Sequence, residues 1–190
     1  RALRPRGAVM DFPADLLDLL TAYRKTQGKD SPGTTELALR ELHEMFSGLR
    51  PHRPGYLSRR DYRRAYIQYY LPQHALKISR ILQEMIRYTG PVKFNRVMDF
   101  GCGPGSAALG LLLHTTPERL VLVDIVREAL DDADFLVRTF RPAKPVLLDG
   151  PPGEEFDLVL AANVLVERQT LDDLLDRVAP AGYLIIMEPA

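Results

Sequence analysis

A glycine-rich turn with an acid in front of it is the part of the sequence best suited to chemistry. Residues 96–100 are mostly apolar and are expected to form a strand, and Gly101, Gly103 and Gly105 follow. The segment 106–113 then has the apolar content of a helix. Strand, glycine turn and helix form the unit with which open α/β sheets hold nucleotides. Glycines allow close approach of a ligand, and the helix start presents free N–H groups.

The spacing of the turn and the position of the acid separate two kinds of ligand. A dinucleotide fingerprint has the form G-x-G-x-x-G/A, but Ser106 stands at its sixth position and the third glycine comes earlier, as Gly105. Asp99 lies two residues before the first glycine, where a carboxylate would repel a pyrophosphate. The same carboxylate would attract the ammonium group of S-adenosylmethionine (SAM). A glycine-rich turn that holds no ligand is the remaining alternative.

Polar residues also end the next three predicted strands. Asp124 ends the second strand, 23 residues after Gly101, close to the spacing at which an acid binds ribose hydroxyls. An acid at that position can instead cap the helix that follows. Asp149 ends the third strand, where the Gly-Pro-Pro-Gly sequence after it leaves a turn-forming role equally open. Asn163 ends the fourth strand, where it can contact a cofactor or substrate or cap the loop.

The run from Asp99 to Gly105 has the form D-x-G-x-G-x-G and resembles motif I of the class I SAM-dependent methyltransferases. The resemblance implies SAM as the cofactor, with a residue near Asp149 at the adenine amino group. The residues expected to bind it are Asp99, Gly101, Cys102, Gly103, Gly105, Asp124, Asp149 and Asn163.

A finer resemblance extends over roughly residues 55–190. The helical segment from Tyr62 to Met85, its junction with 97–101 and the sequence Met-Glu-Pro at 187–189 are similar to methyltransferase-like assembly factors of the mitochondrial small ribosomal subunit and their bacterial relatives. This similarity implies a SAM-dependent methyltransferase or methyltransferase-like factor that acts on or with small-subunit ribosomal RNA, with that RNA or the small ribosomal subunit as its partner. The alternatives are a small-molecule or protein methyltransferase whose helical extension is a lid, and a non-catalytic SAM-binding module of ribosome assembly. The iron–sulfur region of that family has no counterpart here, so no metal is implied.

The sequence does not reveal a catalytic base. The Asn/Asp-Pro-Pro-aromatic motif of amino-group methyltransferases is absent from residues 161–167. Cys102 is the only cysteine; it lies in the glycine turn, where a nucleophilic role is not supported, and it cannot form an internal disulfide. Positioning alone can drive much of a methyl transfer, so activity does not require a base. The four histidines show no metal-ligand spacing and are expected at the surface or as polar core residues: His43, His52, His74 and His114.

Basic residues are concentrated in the first half of the chain. Residues 1–96 carry 18 Lys and Arg against 9 Asp and Glu, and residues 97–190 carry 7 against 16. A basic half indicates a polyanionic partner, unless the two halves simply attract each other. Asp61 is expected to be the only acid near enough to neutralise them, so six arginines are expected to contact RNA phosphates, with a solvated helix face as the alternative: Arg50, Arg53, Arg59, Arg60, Arg63 and Arg64. Tyr56 and Tyr62 are expected to stack on bases, whereas Tyr66 and Tyr69 are expected to pack inward.

The elements that position these residues follow from apolar periodicity and turn residues. Four helices are predicted first: one starting near 11–13, then about 34–47, 58–70 and 73–88, with Pro72 dividing the last two. Strands near 96–100, 119–124, 145–148, 157–161 and 183–187 then alternate with helices near 105–115, 126–139 and 170–178. This alternation is typical of a parallel sheet with right-handed crossovers.

The fold class predicted is therefore α/β, with a Rossmann-like parallel sheet of the SAM-methyltransferase type that stops after its fifth strand. An all-helical extension precedes it, with a basic helical part at 1–90 and the cofactor-binding domain at 91–190. The chain has 190 residues and 46% hydrophobic content, enough for a substantial core. No membrane span or secretory signal is visible. An intracellular setting, in cytoplasm or mitochondrial matrix, is expected.

Overall fold

Three helices precede the sheet in the computed structural model, which describes residues 14–27, 32–51, 53–141, 143–164 and 168–188. They are α1 (Ala14–Gln27), α2 (Pro32–Phe46) and α3 (Arg60–Thr89), with a 3-10 turn at Tyr56–Ser58 before α3. The predicted helix start at 11–13 lies outside the described residues.

Pro72 does not divide α3, so the prediction of two separate helices is wrong. The helix runs unbroken for 30 residues, although a proline removes one backbone hydrogen bond and crowds the preceding turn. Ile67 and Leu71 before the proline, and Ala75 and Ile78 after it, are all fully buried. Both halves of the helix are therefore held against the same core, and this packing outweighs the local preference to break.

The five predicted strands form one parallel sheet, as expected. They are β1 (Arg96–Phe100), β2 (Arg119–Val123), β3 (Val146–Leu148), β4 (Phe156–Ala162) and β5 (Val178–Met187). Their order across the sheet is β3-β2-β1-β4-β5, and every pairing is parallel. The chain leaves β1 towards β2 on one side and later returns to β4 on the other. The carboxyl ends of β1 and β4 therefore form the switch point at which open α/β sheets bind ligands.

Helices cover both faces of the sheet. They are α4 (Ser106–Leu112), α5 (Arg127–Phe140) and α6 (Arg168–Leu175). Strands that are buried on both faces read as continuous apolar runs, which is why β1, β2 and β4 were visible in the sequence. β3 and β5 are the edge strands of the described sheet, and Ile186 on β5 is 40% exposed.

The N-terminal helices share a hydrophobic core with one face of the sheet. Leu16, Leu42 and Leu71 belong to the same buried cluster as Leu109 and Leu136. The division predicted after residue 90 thus separates two parts of the chain that are packed together. In the described part of the chain, no helix combines the length and apolar content needed to cross a membrane.

Candidate functional site

A cavity of about 540 Å³ lies at the carboxyl ends of β1, β2 and β4. Its floor comes from the glycine turn and the polar strand ends, including Asp99, Asp124 and Asn163. Its roof comes from the helical part of the chain, as in the alternative of a helical lid. The roof consists mainly of aromatic side chains, with one leucine and one histidine: Phe46, Tyr56, Leu57, Tyr66, Tyr70 and His74.

Position 101 requires a glycine, because of both its backbone angle and the lack of room for a side chain. Its φ of 63° lies in the left-handed region, and a Cβ there would overlap Val164. Gly105 has a φ of 87°, and its Cβ would lie 3.3 Å from the Cβ of Ala133 on α5. Gly101 and Gly103 line the cavity, whereas Gly105 packs α4 against α5 outside it. The turn is thus shaped partly for a ligand and partly for helix packing.

Cys102 is a buried part of the turn. Its N–H donates to the Val123 carbonyl at 3.0 Å, which ties the turn to β2. Its thiol donates to the carbonyl of Gly103 at 3.3 Å. Burial raises the pKa of the thiol well above its usual range, and nearby Asp99 adds to that effect. Cys102 therefore lines the cavity as a neutral thiol and has no character of a nucleophile.

Asp99 is a buried carboxyl group with one unsatisfied oxygen. The residue is 1% exposed at the end of β1, and its Oδ2 accepts a hydrogen bond from the Ala108 N–H at 2.9 Å. Oδ1 has no hydrogen-bond partner among the described residues. Burial raises the pKa of Asp99 to about 7, against the hydrogen bond from Ala108, and Asp124 raises it further. A cationic group in the cavity would pair with the unsatisfied Oδ1 and favour the ionised form of Asp99.

Asp124 holds the floor of the cavity together. Its Oδ2 accepts from the Gly103 N–H and its Oδ1 from the Val126 N–H, each at 2.8 Å. Asp124 therefore ties the glycine turn to the start of α5. The N-cap residue of α5 is Val126, not Asp124. Burial raises the pKa of Asp124, opposed by those backbone hydrogen bonds. Each carboxylate oxygen keeps a second acceptor site for a ligand hydroxyl.

Asn163 adopts a strained backbone at the end of β4. Its φ is 59°, unusual for a residue with a side chain, and its N–H donates to the Met187 carbonyl at 2.7 Å. The next residue, Val164, donates its N–H to Glu188 Oε1 at 3.0 Å. These bonds join the ends of β4 and β5 and fix the Asn163 side chain at the cavity wall.

His74 and Tyr66 form a polar cluster in the roof that sequence reasoning missed. The Tyr66 hydroxyl lies 2.9 Å from His74 Nδ1 and 3.4 Å from Ser106 Oγ. The Asn163 amide nitrogen lies 3.5 Å from the same His74 nitrogen. Burial raises the pKa of Tyr66 to about 12 and lowers that of His74 to about 4, with Lys77 lowering the latter further. Tyr66, Tyr70 and His74 follow a four-residue helical spacing, the signal that could have identified them.

Asp149 lies away from the other predicted cofactor residues. It is exposed in the bend after β3 and does not line the cavity. The turn-forming role that the sequence left open matches this placement. The remaining predicted residues at the cavity are brought together from β1, β2 and β4.

The six arginines do not form one exposed basic face. Arg64 is 3% exposed, so its predicted accessibility is wrong. Arg63 is 13% exposed and pairs with Asp132 of α5 at 3.0 Å. Arg63 also donates to the carbonyls of Leu57 and Ser58 at 2.9 and 2.8 Å. Sequence neighbours alone could not reveal Asp132, which lies far away in the chain.

Acids of α2 pair with two more of these arginines. Arg50 pairs with Glu41 and Glu44, and Arg59 pairs with Glu41 and Asp61. The expectation that Asp61 is the only nearby acid is therefore wrong. Arg53 and Arg60 are exposed.

The tyrosines near these arginines also depart in part from expectation. Tyr66 is buried as predicted, but Tyr69 is 52% exposed. Tyr62 is buried instead of available to a base, and the guanidinium of Arg59 lies 3.8 Å from its ring centroid. Its hydroxyl donates to Glu41 at 2.7 Å.

Metal ligation has no support in the described part of the chain, where no group of three or more His, Cys, Asp or Glu side chains could hold an ion. His114 lies outside the cavity, where its Nε2 forms a hydrogen bond of 2.7 Å with Ser79 Oγ. His43 lies in the last turn of α2, and His52 lies outside the described residues.

Comparisons with known proteins give structural matches only. No protein-family model and no curated protein sequence matches the chain. NodS, an N-methyltransferase from Bradyrhizobium japonicum solved with S-adenosylhomocysteine (SAH), is 22% identical over 61% of both chains, with a TM-score of 0.47. SAM-bound CalS10, an amino pentose methyltransferase from Micromonospora echinaspora, is 19% identical over 61% of this chain and 51% of its own, with a TM-score of 0.48.

A candidate O-methyltransferase from Nostoc punctiforme matches most of the chain. It is 19% identical over 90% of this chain and 52% of its own, with a TM-score of 0.56. The chain thus spans between about half and 61% of the length of these three proteins. None of them is described as a ribosomal assembly factor, so that finer resemblance stays an expectation. Sheet order, helical layers and the Nostoc match agree: the chain has the Rossmann-like fold of SAM-dependent methyltransferases.

Proposed function

We propose that this protein binds SAM and transfers its methyl group to a small-molecule acceptor enclosed beneath α3. One observation carries the proposal: a single cavity joins the glycine turn and two buried carboxylates on its floor to aromatic side chains and a histidine in its roof. Bound SAM would supply an electrophilic methyl group on a sulfonium. The protein would supply binding, orientation and exclusion of water.

The floor fits the two polar ends of SAM. Asp99 offers a buried oxygen without a partner, which suits the ammonium of the methionine part. Asp124 offers carboxylate oxygens at the end of the neighbouring strand, which suits the ribose hydroxyls. Gly101 and Gly103 leave the backbone accessible between them. Asp149 has weaker support as a contact for the adenine because it is exposed outside the cavity.

The roof fits a small acceptor. Phe46 and Tyr70 pack edge to face with ring centroids 4.9 Å apart, and Tyr66 lies 5.8 Å from Tyr70. Such a cluster, contributed by α2 and α3, forms an apolar wall with few polar groups, as in small-molecule sites. The volume of about 540 Å³ lies in the usual range for such sites. The helical part would then act as the lid of the site.

Ribosomal RNA, the partner implied by the finer resemblance, has less support as the substrate. Arg50, Arg59 and Arg63 pair with acids of the protein itself, and Arg64 is buried. Arginines engaged in this way are less available to phosphates. The electrostatic contribution to RNA binding is therefore smaller than the sequence alone suggests.

The test is methyl transfer from tritiated SAM in an extract of the source cells, separated afterwards into small-molecule, protein and RNA fractions. We expect label in the small-molecule fraction, at a rate that depends on the added protein. The matched control is the Asp124→Ala variant, which should bind SAM poorly. Label in ribosomal RNA would overturn the small-molecule assignment but keep the methyltransferase, and failure to bind SAM would overturn both.

A further inference from the structure

His74 is the one imidazole that lines the cavity among the described residues. It lies in the middle of α3, where Tyr66 holds its Nδ1 at 2.9 Å. The Asn163 amide approaches the same nitrogen from the end of β4, at 3.5 Å. The hydroxyl of Tyr66 fixes the ring. When Nδ1 carries the proton and donates it to this hydroxyl, Nε2 is the acceptor nitrogen left for a ligand.

We propose that His74 binds the hydroxyl group of the methyl acceptor and receives its proton, so that the acceptor class is a small alcohol or phenol. This inference rests on the proposed function of the cavity. It adds the residue on the acceptor side, the atom that is methylated and the route of the proton.

The two anchors proposed for the cofactor place its reacting sulfur near the glycine turn. The sulfur of SAM links its amino-acid chain to its ribose, so anchoring at Asp99 and Asp124 holds the sulfur between the ends of β1 and β2. Of the α3 side chains that line the cavity, His74 is the one imidazole. The Tyr66 hydroxyl links it to Ser106, at the start of α4 just after the glycine turn.

The charge environment favours a hydroxyl over an amine. Lys77 on the same helix and Asn163 from β4 lie near His74, and Tyr66 connects it towards Asp99 of β1. Glu188, after β5, lines the same cavity. Burial and Lys77 keep the imidazole a weak base. A weak base cannot remove the proton of an alkylammonium ion before reaction. It can take the proton of a hydroxyl, because that proton becomes strongly acidic as the oxygen gains a methyl group.

The step balances without any further reactant. An oxygen lone pair of the acceptor forms the new O–CH3 bond, and the S–CH3 bond breaks with its electron pair going to sulfur. The hydroxyl proton passes to His74 Nε2. The positive charge therefore moves from the sulfonium to the imidazolium, where the hydrogen bond from Nδ1 to Tyr66 can help to stabilise it.

The first experiment needs no acceptor. Protein labelled with 15N-histidine is titrated with SAM and with SAH, and imidazole signals are followed by NMR; His74→Gln identifies the His74 signal. SAM and SAH differ in the methyl group and the charge on sulfur, so a ring that faces the methyl should shift differently with each ligand. His114, bonded to Ser79 outside the cavity, serves as the internal control.

We expect the His74 signals to differ between the SAM and SAH complexes while the His114 signals coincide. Coinciding His74 signals in two saturated complexes would overturn the placement of His74. Absence of binding by both ligands, seen as no change in any signal, would overturn the proposed function itself.

The second experiment identifies the product in the tritium assay. We expect the labelled small molecule to be a methyl ether by mass spectrometry, and an N-methyl product would overturn the acceptor class. His74→Gln should slow labelling by about 100-fold, as for loss of a general base, with SAH affinity unchanged. His114→Gln should label at the wild-type rate. Equal rates for wild type and His74→Gln would overturn the catalytic role of His74.

Discussion

The carboxylate of Asp99 binds the backbone N–H of Ala108 through Oδ2 at 2.9 Å, while its other oxygen stays buried without a partner among the described residues. One oxygen thus fixes the acid against α4, and the other is left for the cavity that Asp99 lines. A buried, unsatisfied carboxylate destabilises the ligand-free protein. The same group becomes favourable once a cation is bound.

The contribution of Asp99 to the stability of the ligand-free protein should fall as the pH rises from about 4 to about 7, whereas the lowered pKa of His74 acts in the opposite direction below pH 6.5. Burial raises the folded pKa of Asp99 from 3.8 to about 7, so over that window the folded state binds a proton that the unfolded state has lost. The loss of this stabilisation is complete near pH 7, and it amounts to a few kcal/mol at most. Denaturant unfolding of wild type and Asp99→Asn at several pH values measures it: the stability of the variant relative to wild type should rise between about pH 4 and about pH 7.

Asp99→Asn should separate stability from binding. At pH 8 the amide avoids the cost of a buried charge, so the variant should unfold at a higher temperature than wild type in the absence of ligand. Its affinity for SAM should fall by about tenfold or more, because a neutral amide does not attract the ammonium. Calorimetry and thermal melts check both, and a variant that is less stable at pH 8 and binds SAM normally would contradict this role.

Asp124 and Asp149 should differ sharply in their effect on the cofactor. Asp124→Ala removes an acceptor for the ribose hydroxyls and should weaken SAM binding by about 1.5–3 kcal/mol. It also frees the N–H groups of Gly103 and Val126, so a lower melting temperature is expected. Asp149→Ala, at an exposed position outside the cavity, is the matched control and should bind SAM as wild type does. Equal losses in the two variants would contradict the geometry of the floor.

Gly110 should tolerate no side chain, unlike Gly33. A Cβ at Gly110 would overlap the carbonyl oxygen of Ala75 and contact Ile78, so Gly110→Ala would push α4 away from α3. We expect a loss of about 1–3 kcal/mol, as for overpacking of a core. Gly33→Ala meets nothing within 4 Å in helix α2, and it should be neutral or stabilising by up to about 1 kcal/mol. Urea unfolding of both variants provides the comparison.

Arg63 should act as a structural link between α3 and α5. It reaches Asp132 at 3.0 Å and two carbonyl oxygens before α3, and Tyr23 donates to the same Asp132 at 3.1 Å. Arg63→Gln should therefore cost about 1.5–3 kcal/mol of stability. Arg127→Gln, which breaks an exposed pair with Asp131, should cost less than about 1 kcal/mol. Normal stability together with weaker RNA binding in Arg63→Gln would restore the interpretation drawn from the sequence.

Much of the sheet could be predicted because its strands are short apolar runs that end in polar residues. The first half of β5 could not. Val178 pairs with Phe156, but a register shift separates that pair from Tyr183 opposite Leu158. Pro180 and Gly182 lie in between, and in a sequence they indicate a turn; at a sheet edge, an irregular strand can include them.

The floor of the site could be predicted because its residues lie either in the glycine turn or at the polar end of an apolar strand. The roof was not predicted. The four-residue spacing of Tyr66, Tyr70 and His74 places them on one face of α3, but only the fold shows that this face covers the cavity. The partner of Arg63 could not be predicted for the same reason: Asp132 is 69 residues away from Arg63 in sequence but bonded to it in space.

Isothermal titration of the purified protein with SAH, and separately with NADH, tests the central claim most directly. The cavity joins Asp99, the glycine turn and Asp124 in one place, so we predict one SAH bound per chain, binding weakened in Asp124→Ala, and no heat with NADH. Saturable binding of NADH, or no binding of SAH to protein that melts cooperatively, would contradict the assignment of this cavity to SAM.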